Sequence, residues 1–159
     1  MVRPGQVLLL VVVNLAVVAG LTLAIGASAP RWPDAWVARD RGPLRLASWE
    51  TVARYRRLGV QRWARRLPEL GGLFGIDKRH LRGRSPELLA AYLLEVRRAE
   101  WVHWASLLAL LPIAVFNPWW LWLLFAVISC AVNLPFWAIL RLNRIRLAGL
   151  LTRLERRRN

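Results

Sequence analysis

The sequence has a single cysteine, Cys130, set inside an apolar run, which leaves no disulfide framework and no cysteine-based metal site. As an isolated thiol in such a run it reads as a small buried hydrophobe. Only two histidines occur, His80 and His103. There is no ionisable side chain between Gln6 and Ala29, and no lysine or arginine between Arg98 and Arg141. No repeat of solenoid type and no low-complexity tract is present, which argues against an array. These gaps in charge are informative because the chain as a whole is highly charged: 24 Lys and Arg against 9 Asp and Glu give +15 over 159 residues, 57% of them hydrophobic.

A chain that is both this apolar and this basic must segregate the two properties. Arg3 stands alone before the first apolar run, sixteen Lys/Arg fall between Arg31 and Arg98, and seven lie from Arg141 onward. Such a charge excess would point to nucleic acid if a recognition motif accompanied it. None does. Basic segments flanking apolar runs are what topology and anionic headgroups select at a bilayer, so membrane lipids are the expected partner and nucleic acid is not.

The pattern predicts an all-α integral membrane protein, one membrane domain over residues 1–159, with about three transmembrane helices and an interfacial amphipathic helix on the cytoplasmic side. Residues 6–29 form the first span, since a helix of ~20 apolar residues crosses a hydrocarbon core. The small residues Gly26-Ala27-Ser28-Ala29 also suit a cleaved signal, but the run exceeds a usual signal core and Pro30 would follow the site, so a retained anchor is expected. Residues 30–85 form a basic interfacial region that opens on a Trp32-Pro33 turn at headgroup level. Within it, Ser48 caps a helix from Trp49 to Leu67, with Val52, Tyr55, Val60 and Trp63 interleaved among arginines. Packing of that helix on other protein is the competing expectation. A loop follows from Gly71 to Arg84.

Ser85-Pro86-Glu87 combines a cap, a first-turn proline and an acid, and starts a long helix over 86–116 that Pro112 is expected to kink. Asn117-Pro118 is the turn of a helical hairpin, and 119–140 is the last span, interrupted by Asn133 and Pro135. Residues 141–159 then form a basic tail. The positive-inside rule puts both large basic groups in the cytoplasm, and the Asn117-Pro118 turn and the N-terminus outside, giving a multi-pass cell-membrane protein.

Chemistry concentrates where the second span begins. Glu100 and His103 are three apart and share a helix face, with Arg97 and the Glu95/Arg98 pair on adjoining turns. Ionisable groups at that depth suggest function. A carboxylate one turn from a histidine can orient the ring and stabilise its imidazolium, which makes His103 a candidate general base and Glu100 its support. An ion-pair network anchoring the helix end is the alternative. Glu-x-x-His also occurs in di-iron bundles, but those need a second such motif and further glutamates, so no metal is expected. Asn14 and Asn133 can hydrogen-bond between helices or line a substrate cleft. Arg141, Arg144 and Arg146 can clamp phosphates of lipid or acyl donor.

Trp32-Pro33-Asp34, Arg79-His80-Leu81, Arg98-Ala99-Glu100 with His103-Trp104, Phe116-Asn117, Asn133 with Pro135, and Asn143-Arg144 with Arg146 occur in this order. The chain thereby resembles the glycosyl-4,4'-diaponeurosporenoate acyltransferases over nearly its whole length, most closely from Arg79 to Arg146. The resemblance implies acyl transfer. It adds Arg79, His80, Asn117 and Asn143 to Arg97, Arg98, Asn133, Arg141, Arg144 and Arg146 as residues that bind substrate or donor.

The expected activity is transfer of a fatty acyl group from a thioester, acyl-CoA or acyl carrier protein, to a hydroxyl of a lipid-like acceptor such as a glycosylated carotenoid. No bound cofactor is expected. Two other readings fit the residues: a nonenzymatic subunit whose arginines dock a partner or anionic lipid, and a metal-dependent lipid-modifying enzyme using His80 and His103.

Overall fold

The structure, a computed structural model, describes residues 3–64 and 85–158, and every regular element among them is helical. Helix α1, Pro4–Ser28, starts on Pro4, whose missing N–H falls where a helix has no partner to offer, and the Arg3 N–H is met by the Gln6 side chain at 3.0 Å. Its 25 residues extend about 37 Å at 1.5 Å each, enough for a ~30 Å hydrocarbon core. Leu8, Leu9, Val12, Leu15 and Leu23 point outward, and of its side chains only Asn14 is sealed from the surroundings.

A short irregular segment follows, carrying α2, Asp34–Val37; α3, Val52–Arg57; and α4, Val60–Ala64. The amphipathic helix expected over 49–67 is therefore two pieces. Thr51 rather than Ser48 caps α3, accepting from the Arg54 N–H, and Gly59 at φ 67° turns the chain between α3 and α4 as only glycine does without strain. Tyr55 and Val60 are buried against Ala138, Ile139, Leu142 and Ile145, while Arg54, Arg56 and Arg57 face outward. This segment thus packs on protein through one face and presents cations on the other. The loop expected over 71–84, with Arg79 and His80, lies outside the described residues.

Helix α5, Pro86–Ala105, is capped by Ser85, whose hydroxyl accepts from the Leu88 N–H at 3.2 Å. A 3-10 turn over Ser106–Ala109 links it to α6, Leu110–Phe116. Pro112 accounts for the tightened turn, because it has no N–H for the Leu108 carbonyl and its ring crowds that oxygen. Helix α7, Trp119–Arg158, is continuous for 40 residues. Neither Asn133 nor Pro135 breaks it, and residues 141–158, expected as a separate tail, are its last turns. Cys130 is exposed on α7 and not in the core.

Among the described residues three helical stretches are long and apolar enough to cross a membrane: Pro4–Arg31, Pro86–Phe116 and Trp119–Arg157. They meet in a thin bundle whose buried centre is Leu110, Ile113, Leu121 and Phe125, with Leu10, Val17 and Val18 of α1 against it. Lipid offers no hydrophobic drive for this association, so polar ties matter. Asn14 and Asn117 exchange two hydrogen bonds, at 2.9 and 2.8 Å, and the Trp122 indole donates to the Leu110 carbonyl at 3.0 Å. From Trp119 to Arg141 α7 rises about 33 Å, so the hairpin turn and the arginines sit at opposite ends of a bilayer-sized span.

Candidate active site

Two polar layers lie between α5 and α7. In the first, Arg141 and Arg144 are three apart on α7 and present both guanidiniums to one face. Glu100 of α5, wholly buried, accepts from Arg141 Nε at 2.9 Å and from Arg144 Nη1 at 2.8 Å. Arg141 also donates to Glu50 at 2.6 Å and to the Pro43 carbonyl, and Arg144 to the Leu44 carbonyl. Glu50 is met in addition by the Tyr55 hydroxyl and the Ala47 N–H. Burying charge is unfavourable unless each ion is paired and its remaining donors are satisfied; here carboxylates and backbone carbonyls pair both guanidiniums, and the Arg144 Nε alone of the cluster's nitrogens is left buried without a partner.

The environment moves the two titrating groups of the irregular segment in opposite directions. Burial pushes the Glu50 carboxyl upward, but the hydrogen bonds from Arg141, Tyr55 and Ala47 outweigh it and hold the group below its ordinary range. Burial, and then the Glu50 carboxylate accepting its proton, push Tyr55 well above the ordinary phenol.

Around this layer two further arginines are also paired. Arg97 holds Asp40 at 2.9 Å and the Ala38 carbonyl at 3.0 Å, and Arg98 binds Asp34 and Glu95. Asn143 is half-buried with no hydrogen bond among the described residues, and Arg146 faces Gln61 of α4.

One turn deeper, His103 Nδ1 lies 2.8 Å from Asn133 Oδ1. The Asn133 amide nitrogen donates to the Ser129 carbonyl at 2.8 Å, which orients the oxygen toward the ring. An oxygen accepts, so the network assigns a proton to Nδ1, and in the neutral ring the lone pair then lies on Nε2. Phe136 stacks on the ring at 4.7 Å and 12°, and Ser106 donates to the His103 carbonyl at 2.8 Å and to Asn133 Oδ1 at 3.3 Å. The expected Glu100 support of His103 does not form. Both Glu100 oxygens are engaged by arginines, charged donors that outcompete a neutral imidazole, and a neutral amide on the facing helix holds the ring instead.

The sequence-derived set is thus divided. Glu100, Arg141 and Arg144 form the buried ion cluster; His103 and Asn133 form a hydrogen-bonded pair beside it; and Asn117 lies about 20 Å from His103 along the helices, paired with Asn14. Glu50, Asp40 and Tyr55 were not read from sequence. Nothing in the local pattern marks Asp40 and Glu50, because the arginines they meet are on α5 and α7, and the hydroxyl of Tyr55 acts through Glu50. No grouping of three His, Cys, Asp or Glu able to hold a metal occurs among the described residues.

The family model of the glycosyl-4,4'-diaponeurosporenoate acyltransferases matches residues 38–153, and the chain belongs to that family. Among curated proteins it is similar to the glycosyl-4,4'-diaponeurosporenoate acyltransferases of Staphylococcus aureus strains USA300, NCTC 8325 / PS 47 and COL. Each is 34% identical over 86 residues, 51% of this chain and 48% of the relative. The chain spans about half the length of the curated relatives it matches. No solved structure matches.

Proposed function

We propose that this family member moves a fatty acyl group from a thioester donor to a hydroxyl of a glycosylated lipid, the relatives' name pointing to a carotenoid glycoside as acceptor. The single observation that carries the reading is the His103–Asn133 pair: a histidine with its Nδ1 proton held and, in the neutral ring, its lone pair on Nε2, at the depth where an acyl chain stays in lipid and its head meets water. His103 Nε2 takes the acceptor hydroxyl proton as that oxygen attacks the thioester carbonyl. The C–O bond forms, the C–S bond breaks, and the thiolate leaves with the proton from Nε2.

Asn133 acts by fixing the tautomer. Glu100, Arg141 and Arg144 act by holding α5, α7 and the irregular segment in register. With those arginines internally paired, the donor's phosphates meet the cations left exposed on the same end, Arg39, Arg41, Arg45, Arg54, Arg56 and Arg57. Asn143 and Arg146, together with Arg79 and His80, complete the proposed donor-binding set. This end faces the cytoplasm, where thioester donors are made.

The test is acyl transfer by the purified chain in nanodiscs, with radiolabelled palmitoyl-CoA and a glucosylated carotenoid. A labelled ester is the expected product. Absence of ester with both acyl-CoA and acyl carrier protein donors favours the nonenzymatic subunit.

A further inference from the structure

His103 and Trp104 are consecutive on α5, and Phe136 and Trp137 are consecutive on α7. They stack in register across the interface: His103 on Phe136, and Trp104 on Trp137 at 4.2 Å and 18°. Trp101 lies one turn from Trp104 on the same helix face. The indole nitrogens of Trp101, Trp104 and Trp137 are buried and have no hydrogen-bond partner. Two indoles elsewhere are satisfied: Trp32 donates to Ser28 at 3.1 Å and Trp122 to the Leu110 carbonyl at 3.0 Å. An aromatic belt does not explain these orphans, because belt tryptophans keep the N–H wet. Three unmet donors, two on the stacked indoles and one a turn away, next to the histidine, make a half-finished binding site for a ligand rich in acceptor oxygens.

We propose that Trp101, Trp104 and Trp137 form the subsite for the glycosyl head of the acceptor. The sugar's C–H face lies on the Trp104/Trp137 stack, and its ring and hydroxyl oxygens accept from the N–H groups of Trp101 and Trp137. This orientation sets one hydroxyl at His103 Nε2, so the assignment rests on the reading of His103 as the base. The subsite also discriminates: an alcohol of equal chain length without the sugar leaves both donors unmet, and sites built to hydrogen-bond a ligand reject analogues that cannot.

Equilibrium binding of radiolabelled dodecyl β-glucoside to the full chain in phosphatidylcholine nanodiscs tests this, with dodecanol as the control. Wild type is expected to bind the glucoside, and His103→Ala to bind it with no more than the loss of the one hydroxyl contact. Trp104→Ala is expected to weaken it about tenfold, and Trp137→Phe, which keeps a stacked ring but removes the N–H, about threefold. Dodecanol retention is expected to stay the same throughout. Unchanged glucoside binding in Trp137→Phe, the variant least able to disturb folding, overturns the proposal, as does equal loss of glucoside and dodecanol. Full transfer activity in His103→Ala would sink the base assignment while leaving the binding result to decide the subsite.

Discussion

Glu100 and Arg144 are 44 residues apart in sequence and meet at 2.8 Å, with 0% and 1% of their side chains accessible. Together with Arg141 and Glu50 they tie two membrane helices to the segment that precedes them. A buried ion held this way has no cheap alternative, so removing one partner leaves the others uncompensated. Glu100→Ala is expected to lower stability by about 3–5 kcal/mol, and Glu100→Ala/Arg144→Ala by less than the sum of the singles. Unfolding in SDS with a double-mutant cycle measures both.

Asn14 and Asn117 satisfy each other inside an apolar bundle, far from His103. Either change to alanine is expected to lose about 0.6–2 kcal/mol of stability while transfer per folded molecule stays at the wild-type rate. A Michaelis constant raised by Asn117→Ala, with stability unchanged, would instead return Asn117 to substrate binding.

Asn133 acts through His103, and its removal frees the ring to rotate and exchange tautomers. Asn133→Ala is expected to reduce kcat about 10- to 100-fold, less than loss of the base itself, with little change in glucoside binding. Steady-state kinetics that separate kcat from KM distinguish this from a role in holding substrate.

Stability is expected to fall toward both ends of the pH scale. Glu50 is depressed below its ordinary 4.5, so its contribution is present above that value and is lost as pH falls through the folded one. Tyr55 is raised above its ordinary 10.0, so its contribution is present below that value and is lost as pH rises through the folded one. Thermal unfolding across pH checks the signs: Glu50→Gln flattens the acid limb and Tyr55→Phe the alkaline one.

Much of the architecture was legible because lipid imposes simple rules. Runs without charge gave the spans, and Ser85-Pro86-Glu87 located the start of α5, since cap chemistry is local. Pro135 misled, because an asparagine and a proline inside a long apolar helix do not end it when neighbouring helices support the backbone. The helix around Tyr55 was read as unbroken because Gly59 is a single residue in a periodic pattern. Within the site, Glu100 and His103 stood out by position but were paired wrongly. Helical spacing makes them neighbours, yet tertiary partners took both: Arg141 and Arg144 for one, Asn133 for the other. Glu50 was illegible, because its role depends on an arginine 91 residues away.

The proposed transfer depends on His103 Nε2. Palmitoyl transfer to a glucosylated carotenoid by nanodisc-embedded His103→Ala, compared with wild type at matched folded protein, tests it most directly. A loss of about 10²- to 10⁴-fold in kcat with dodecyl glucoside still bound is the expected result; transfer at the wild-type rate would contradict the account.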